Sequence, residues 1–139
     1  MISRGRSRVA LRALLDLSYS THWRKRVDAA EKLGEMVDEP VARARLTELL
    51  HDAGDVAVQT AAAGALTKRG GVAGLLAVLE EIGRRSDDAD VDYIAYQLYG
   101  MEGTGEYPVL DIASEIASET MTAHARIGLA SIERLLGRD

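Results

Sequence analysis

The residues best suited to metal binding or nucleophilic catalysis are scattered along this sequence. His22, His51 and His124 are far apart and form no His-x-x-x-His pair, and the chain contains no cysteine. A zinc motif, a disulfide framework and a cysteine nucleophile are therefore excluded. Each histidine is interpreted as an exposed or turn residue, and no metal ligand or cofactor is predicted.

Acidic residues offer a second kind of chemistry. Asp88, Asp90 and Asp92 alternate as at the start of a calcium-binding EF-hand loop, but Tyr93 and Tyr99 replace the glycine and the glutamate that such a loop needs. We interpret the three aspartates as residues at the start of a helix, where the helix dipole favours negative charge. No calcium site is predicted.

Paired glutamates are the remaining candidates for acid–base catalysis. Glu80 is followed by Glu81, and Glu119 follows Glu115 by four positions. No nucleophile–base pair accompanies them, so both pairs are interpreted as charged helical faces in water. The sequence therefore predicts no catalytic residue and no enzymatic activity.

Two segments that contain glycine resemble phosphate-binding loops only in part. Residues 67–71 (Thr-Lys-Arg-Gly-Gly) lack the Walker pattern, and their cations suit the C-terminus of a helix. Residues 100–106 lack a dinucleotide-binding fingerprint and are followed by Pro108. We expect a helix cap in the first segment and a flexible loop at the rim of a binding face in the second.

Helices must position all of these residues. The 139 residues suit one domain, only two prolines are present, and apolar residues recur with helical spacing. Residues 1–6 are expected to form a basic, flexible arm. In the last helix, Ile127, Ala130 and Leu135 are expected to face the core. The predicted helices cover about residues 7–18, 22–36, 40–51, 55–69, 72–82, 91–98, 109–117 and 122–136.

The fourth predicted helix indicates how the helices are arranged. Asp55 stands where an N-cap belongs, and Gly70 stands where the helix should end. Because its inward stripe is mostly alanine, another backbone can approach closely, but the helix buries little apolar area alone and needs neighbours on both sides. The inward stripe consists of Val58, Ala61, Ala62, Ala65 and Leu66.

The chain also shows an internal repeat, because Leu33, Leu66 and Leu98 are separated by 33 and 32 residues. The segment Asp55-x-x-Val58-Gln59-x-Ala61-Ala62-Ala63-x-Ala65-Leu66 closely resembles the first helix of a HEAT-like repeat, of the short type found in phycobilisome-lyase relatives. Weaker matches to the same repeat helix occur at residues 24–34, 90–98 and 122–136.

This resemblance implies an all-α fold, namely an α-solenoid of about four HEAT-like helix pairs and roughly eight helices. It covers about residues 21–136, within a single domain spanning residues 1–139. An up-and-down helix bundle would share the amphipathic helices. The repeat spacing and the alanine-rich first helices favour the solenoid.

Charge is distributed unevenly along the chain. Residues 1–26 have a net charge of +6 and residues 27–139 have one of −11, and nine acids but no Lys or Arg occur from Ser86 to Glu119. Most of the surface should therefore repel nucleic acid. Trp23, beside a basic run, is expected to cap the stack or to stack on an arginine. The sequence contains neither an apolar run long enough to span a membrane nor a signal-peptide pattern. We therefore expect a cytoplasmic protein with no membrane contact.

Four of the five tyrosines lie within the acidic segment. Tyrosine is common at interfaces because it combines a large area with a polar tip. For Tyr93, filling space in the core is an equally good interpretation, whereas Tyr96 and Tyr99 lie off the apolar stripe of their helix. We predict a non-enzymatic adaptor or scaffold that binds a basic protein or peptide. The residues expected to form its surface are Asp87, Asp88, Asp90, Asp92, Tyr96, Tyr99, Glu102 and Glu106.

Three other functions stay open from the sequence. The small size and the net charge of −5 suit an immunity-type inhibitor that masks a basic toxin. The resemblance to phycobilisome-lyase relatives implies a protein that helps to attach bilin, although this chain has no cysteine. By analogy with HEAT-like DNA glycosylases, the basic N-terminal end is a candidate for nucleic-acid binding.

Overall fold

The computed structural model describes residues 4–52, 54–116 and 118–135, which form helices joined by turns. These ranges contain eight α-helices, one 3₁₀ turn (Ser118–Thr120) and no strand, which confirms the all-α class. No helix in this part of the chain is both long and apolar enough to span a bilayer. The helices are α1 (Arg4–Leu17), α2 (Trp23–Gly34), α3 (Pro40–Leu50), α4 (Val56–Arg69), α5 (Gly71–Arg84), α6 (Val91–Thr104), α7 (Val109–Ser114) and α8 (Ala123–Leu135).

The helices form a stack of successive pairs. Helices α2, α4 and α6 lie side by side in one row, while α3 and α5 pack behind them and touch each other only slightly. Leu33, Leu66 and Leu98, which mark the repeat in the sequence, are all buried. This succession of helix pairs confirms the predicted α-solenoid.

Helix α1 covers the N-terminal end of the stack, where it packs on α2 and α3. It begins at Arg4, so residues 4–6 of the expected arm are helical, and residues 1–3 lie outside the described part of the chain. Its inner leucines are only partly buried, because no other helix of the described residues covers them from outside. These leucines are Leu11, Leu14 and Leu15.

Helix α4 occupies the middle of the row, as its alanines predicted. The Oδ1 atom of Asp55 accepts hydrogen bonds from the backbone N–H groups of Ala57 at 2.9 Å and Val58 at 3.3 Å, which confirms the N-cap. Helix α2 approaches very closely, because a Cβ atom on Gly34 would lie 2.8 Å from the Cβ atom of Ala65. The small residues therefore permit the predicted close approach of two backbones.

The most extensive contact between two helices joins α5 to α8. A Cβ atom on Gly128 would overlap the backbone carbonyl of Leu79, and one on Gly83 would overlap the backbone carbonyl of His124. Only glycine permits backbones to approach so closely. Helix α8 thus occupies the place beside α5 that a regular stack would give to α7, which has only six residues.

The inward face of α8 is not the predicted one. Ile127 is 44% exposed, Leu135 is 36% exposed and Ala130 is half-buried, so the prediction that they face the core is wrong. The close contact with α5 selects the side of α8 that has the glycine rather than the side with the larger residues. The residues that α8 buries are Ala125, Gly128 and Ile132.

The predicted flexible loop at residues 100–106 is also wrong over most of its length. Helix α6 continues through two glycines to Thr104 and ends where Gly105 adopts a left-handed φ of 76°. Met101 is buried, and its contacts with the core hold this last turn in helical form. Tertiary packing thus overrides the low helix propensity of glycine.

Candidate functional site

One exposed side of α6 presents part of the predicted binding surface. Asp92, Tyr96 and Tyr99 are separated by four and three residues, which places them on the same side of the helix. Tyr96 is 57% exposed and Tyr99 is 42% exposed. Their rings meet edge to face, with centroids 6.5 Å apart. These three residues are hereafter the α6 stripe.

The α6 stripe is exposed because the opposite side of α6 faces the core. Helix α4 lies along another flank, where a Cβ atom on Gly64 would lie 2.6 Å from Nε2 of Gln97. Tyr93 lies outside the stripe and is 60% exposed, so the alternative that it fills the core is wrong. The residues that anchor α6 in the core are Val91, Ile94, Ala95, Leu98 and Met101.

The turn before α6 adds three exposed aspartates, Asp87, Asp88 and Asp90. Asp88 Oδ1 accepts a hydrogen bond from the backbone N–H of Asp90 at 2.9 Å, and Asp88 Oδ2 accepts one from Arg85 Nη2 at 2.9 Å. The first of these bonds, helped by the second, lowers the pKa of Asp88. Asp88 is thus already paired with Arg85, whereas no ion pair neutralises Asp87 or Asp90 in the described residues.

Glu102 and Glu106, the last two residues of the predicted surface, are placed differently from the α6 stripe. Glu106 forms an ion pair with Lys68 on α4, with 2.5 Å between Nζ and Oε1. Glu102 is half-buried near the end of α6. Tyr107 is also half-buried, and its burial raises the pKa of its phenol. The structure therefore brings the α6 stripe and the preceding aspartates together, while Glu106 is neutralised by a cation of the same chain.

An ionic cluster around a fully buried carboxylate was not predicted from the sequence. Glu81 is 0% exposed, so its interpretation as part of a charged face in water is wrong. Its Oε1 atom accepts a hydrogen bond from Arg84 and lies 2.8 Å from Nδ1 of His51, and its Oε2 atom accepts one from Arg85 at 3.0 Å. This cluster ties the end of α3 to the end of α5.

Burial and hydrogen bonding act on Glu81 in opposite directions. Desolvation raises the pKa of its carboxyl, but the bonds from Arg84, Arg85 and His51 together outweigh it, so the pKa lies below its ordinary value. The spacing of the two arginines three and four residues after Glu81 was a signal that sequence reasoning missed. The contact with His51, thirty positions earlier, has no local signal.

Aromatic residues also hold cations at the N-terminal end of the stack. The guanidinium of Arg45 lies 3.6 Å from the ring centroid of Tyr19 and donates to Oγ of Ser18 at 2.8 Å. Arg24 lies 5.3 Å from the ring centroid of Trp23, which confirms the predicted stacking on an arginine. The contacts of Arg45 tie α3 to the turn between α1 and α2.

The described clefts are shallow. One of about 380 Å³ lies between α1 and α3 and is mainly apolar, and one of about 430 Å³ crosses α2, α4 and α6 and is mainly polar. Within the described residues, no group of His, Asp and Glu side chains is arranged to hold a metal ion. The arrangement suits binding on an open surface better than chemistry in an enclosed pocket.

These features define a short helical-repeat protein with exposed charged and aromatic surfaces. Residues 11–100 match the family described as HEAT repeats, and the chain belongs to that family. HEAT repeats generally mediate protein–protein interactions and typically act as non-enzymatic scaffolds. No curated protein and no solved structure matches the chain.

Proposed function

We propose that this chain is a non-enzymatic interaction module whose α6 stripe and neighbouring aspartates bind a basic protein or peptide. The observation on which this depends is the adjacency of two exposed tyrosines to exposed carboxylates in and just before the first turn of the same helix, which form no ion pair with any described residue. The tyrosine rings supply area that can be desolvated at the centre of an interface. Asp87, Asp90 and Asp92 supply the charge that attracts a basic partner and speeds its association.

The distribution of cations supports a protein partner over nucleic acid. No Lys or Arg occurs between residues 86 and 119, so phosphate groups would be repelled from the α6 stripe. Several cations elsewhere are engaged within the chain: Arg26 pairs with Asp55 at 3.5 Å, and Arg84 and Arg85 both bind Glu81. Cations that are engaged in this way are less available to follow a nucleic-acid backbone.

Quantitative affinity capture tests the proposal. The baits are the wild-type chain, the variant with both Tyr96→Ala and Tyr99→Ala, and a control variant with Tyr19→Ala. The control removes a tyrosine that is 66% exposed at the other end of the stack. We expect a basic protein to be retained by the wild type and by the control and to be lost from the double variant.

The captured protein is then purified and its binding measured directly. Removing the two rings should weaken binding at least about tenfold, because buried aromatic residues dominate interface energetics. Asp92→Asn should mainly slow association and reduce its salt dependence, whereas Asp38→Asn, distant in the chain, should do neither. A captured partner that binds the double variant as tightly as the wild type would exclude the α6 stripe as the binding surface.

A further inference from the structure

Two exposed helix faces near opposite ends of the stack differ in charge. The outer side of α1 presents exposed residues with helical spacing, namely Arg8, Val9, Arg12, Ala13 and Asp16, hereafter the α1 stripe. Val9 is 71% exposed, more than any other large apolar residue of the described chain. At the other end, the α6 stripe presents tyrosines beside unpaired aspartates.

We propose that the basic partner of the α6 stripe is the α1 stripe of a second copy of this chain, an inference that rests on the function proposed above. Each stripe has what the other lacks. Arg8 and Arg12 match the aspartates at the start of α6, and Val9 matches the tyrosine rings, which would cover an exposed valine. The complementarity is therefore both electrostatic and apolar.

The order of charges selects one orientation. The α1 stripe begins with its arginines and ends with Asp16, about 12 Å further along the helix, and the α6 stripe begins with Asp92 and extends about 10 Å to Tyr99. Parallel helices place the arginines near the aspartates and Asp16 near the tyrosines. Antiparallel helices would place Asp16 beside Asp92, where like charges repel.

The same contact cannot be made within one molecule of this shape. Helix α1 packs on α2 and α3 at one end of the stack, and α6 packs on α4, α5, α7 and α8 at the other. Association therefore joins the front of one copy to the back of the next. Such a heterologous contact produces open chains, whose length increases with concentration, unless the rotation between successive copies closes a ring.

Sedimentation velocity over a range of protein concentrations, at low and at high salt, tests this proposal. We expect the wild type to associate at low salt and to dissociate as salt screens the charges. Arg8→Glu with Arg12→Glu, or Asp90→Arg with Asp92→Arg, should each weaken self-association at least about tenfold. An equimolar mixture of the two variants should associate again, because the unchanged α6 stripe of one meets the unchanged α1 stripe of the other.

A matched control separates this contact from an effect of net charge. Arg24→Glu with Lys25→Glu changes the charge by the same amount at exposed positions outside the α1 stripe, and it should leave self-association unchanged. Circular dichroism melting verifies that each variant is folded. A wild type that stays monomeric at low salt, or a mixture of the two charge-reversed variants that does not associate, overturns the proposal. If the wild type is monomeric but a captured basic protein needs Tyr96 and Tyr99, the function proposed above still stands.

Discussion

The contact between α5 and α8 gives the sharpest prediction about stability. In Gly128→Ala, the new Cβ atom would lie 2.8 Å from the carbonyl carbon of Leu79 and 3.2 Å from the backbone nitrogen of Gly83. Carbon atoms pack best at about 3.5–4.0 Å, so the two helices must separate by about 1 Å. That separation loosens Ile132 and Ile82, which are almost completely buried.

The expected magnitude follows from two opposing effects. Overpacking a well-packed contact costs about 1–3 kcal/mol, and the upper end applies here because the atoms that clash belong to the backbone. Replacing glycine by alanine inside a helix stabilises it by about 1 kcal/mol. The free energy of unfolding of Gly128→Ala should therefore fall by about 2 kcal/mol.

A matched control is available in α6. Gly100 is also inside a helix, but a Cβ atom there meets nothing within 4 Å, so Gly100→Ala should raise the free energy of unfolding by about 1 kcal/mol. Urea unfolding followed by circular dichroism measures both variants, which should shift the midpoint in opposite directions with an unchanged slope. If Gly128→Ala is as stable as the wild type, the close approach of α5 and α8 does not exist.

Three further predictions concern polar contacts. Glu81→Gln should lower the free energy of unfolding by about 2 kcal/mol at neutral pH, since it removes the buried charge that accepts hydrogen bonds from Arg84 and Arg85, whereas Glu80→Gln should change it little. Because the folded pKa of Glu81 is lowered, its ionised form stabilises the native state above the ordinary glutamate pKa, and this contribution is lost as pH falls through the lower, folded value. Urea unfolding at a series of pH values should show the difference between wild type and Glu81→Gln shrinking on acidification, and a constant difference would contradict the assignment. Asp55→Ala should cost about 1 kcal/mol through loss of the N-cap, and Asp55→Asn should restore most of it in the same assay. Arg45→Lys should cost about 1 kcal/mol, because lysine lacks the planar fork with which two nitrogens of Arg45 reach Oγ and the carbonyl oxygen of Ser18; an unchanged unfolding midpoint would show that those bonds do not stabilise the turn.

Features that depend on neighbouring residues in the chain could be predicted from the sequence. The N-cap at Asp55 needs only the backbone of the next three residues, and the buried Leu33, Leu66 and Leu98 follow from the repeat. The exposure of Tyr96 and Tyr99 follows from their position off the apolar stripe of α6. Local periodicity and helix caps are thus sufficient to predict the order of the helices and the solenoid.

Features that depend on distant contacts could not be predicted in this way. The inward face of α8 is selected by the backbone of α5, which no pattern within α8 reveals. Glu81 is bonded to His51 at the end of another helix, and the neutralisation of Glu106 depends on Lys68 in another helix. In each case the partner lies about thirty or more positions away, beyond the range of helical spacing.

The glycine contact between α5 and α8 also determines where this protein could be lengthened. Helix α8 lies outside the part that matches the family, yet it occupies the position beside α5 that a regular stack would give to α7, the second helix of the pair that begins with α6. A unit added after α6 would have to displace α8, whereas a helix pair inserted between α3 and α4 would leave it in place. For protein engineering, we therefore expect a helix pair inserted between α3 and α4 to be tolerated better than one added after α6.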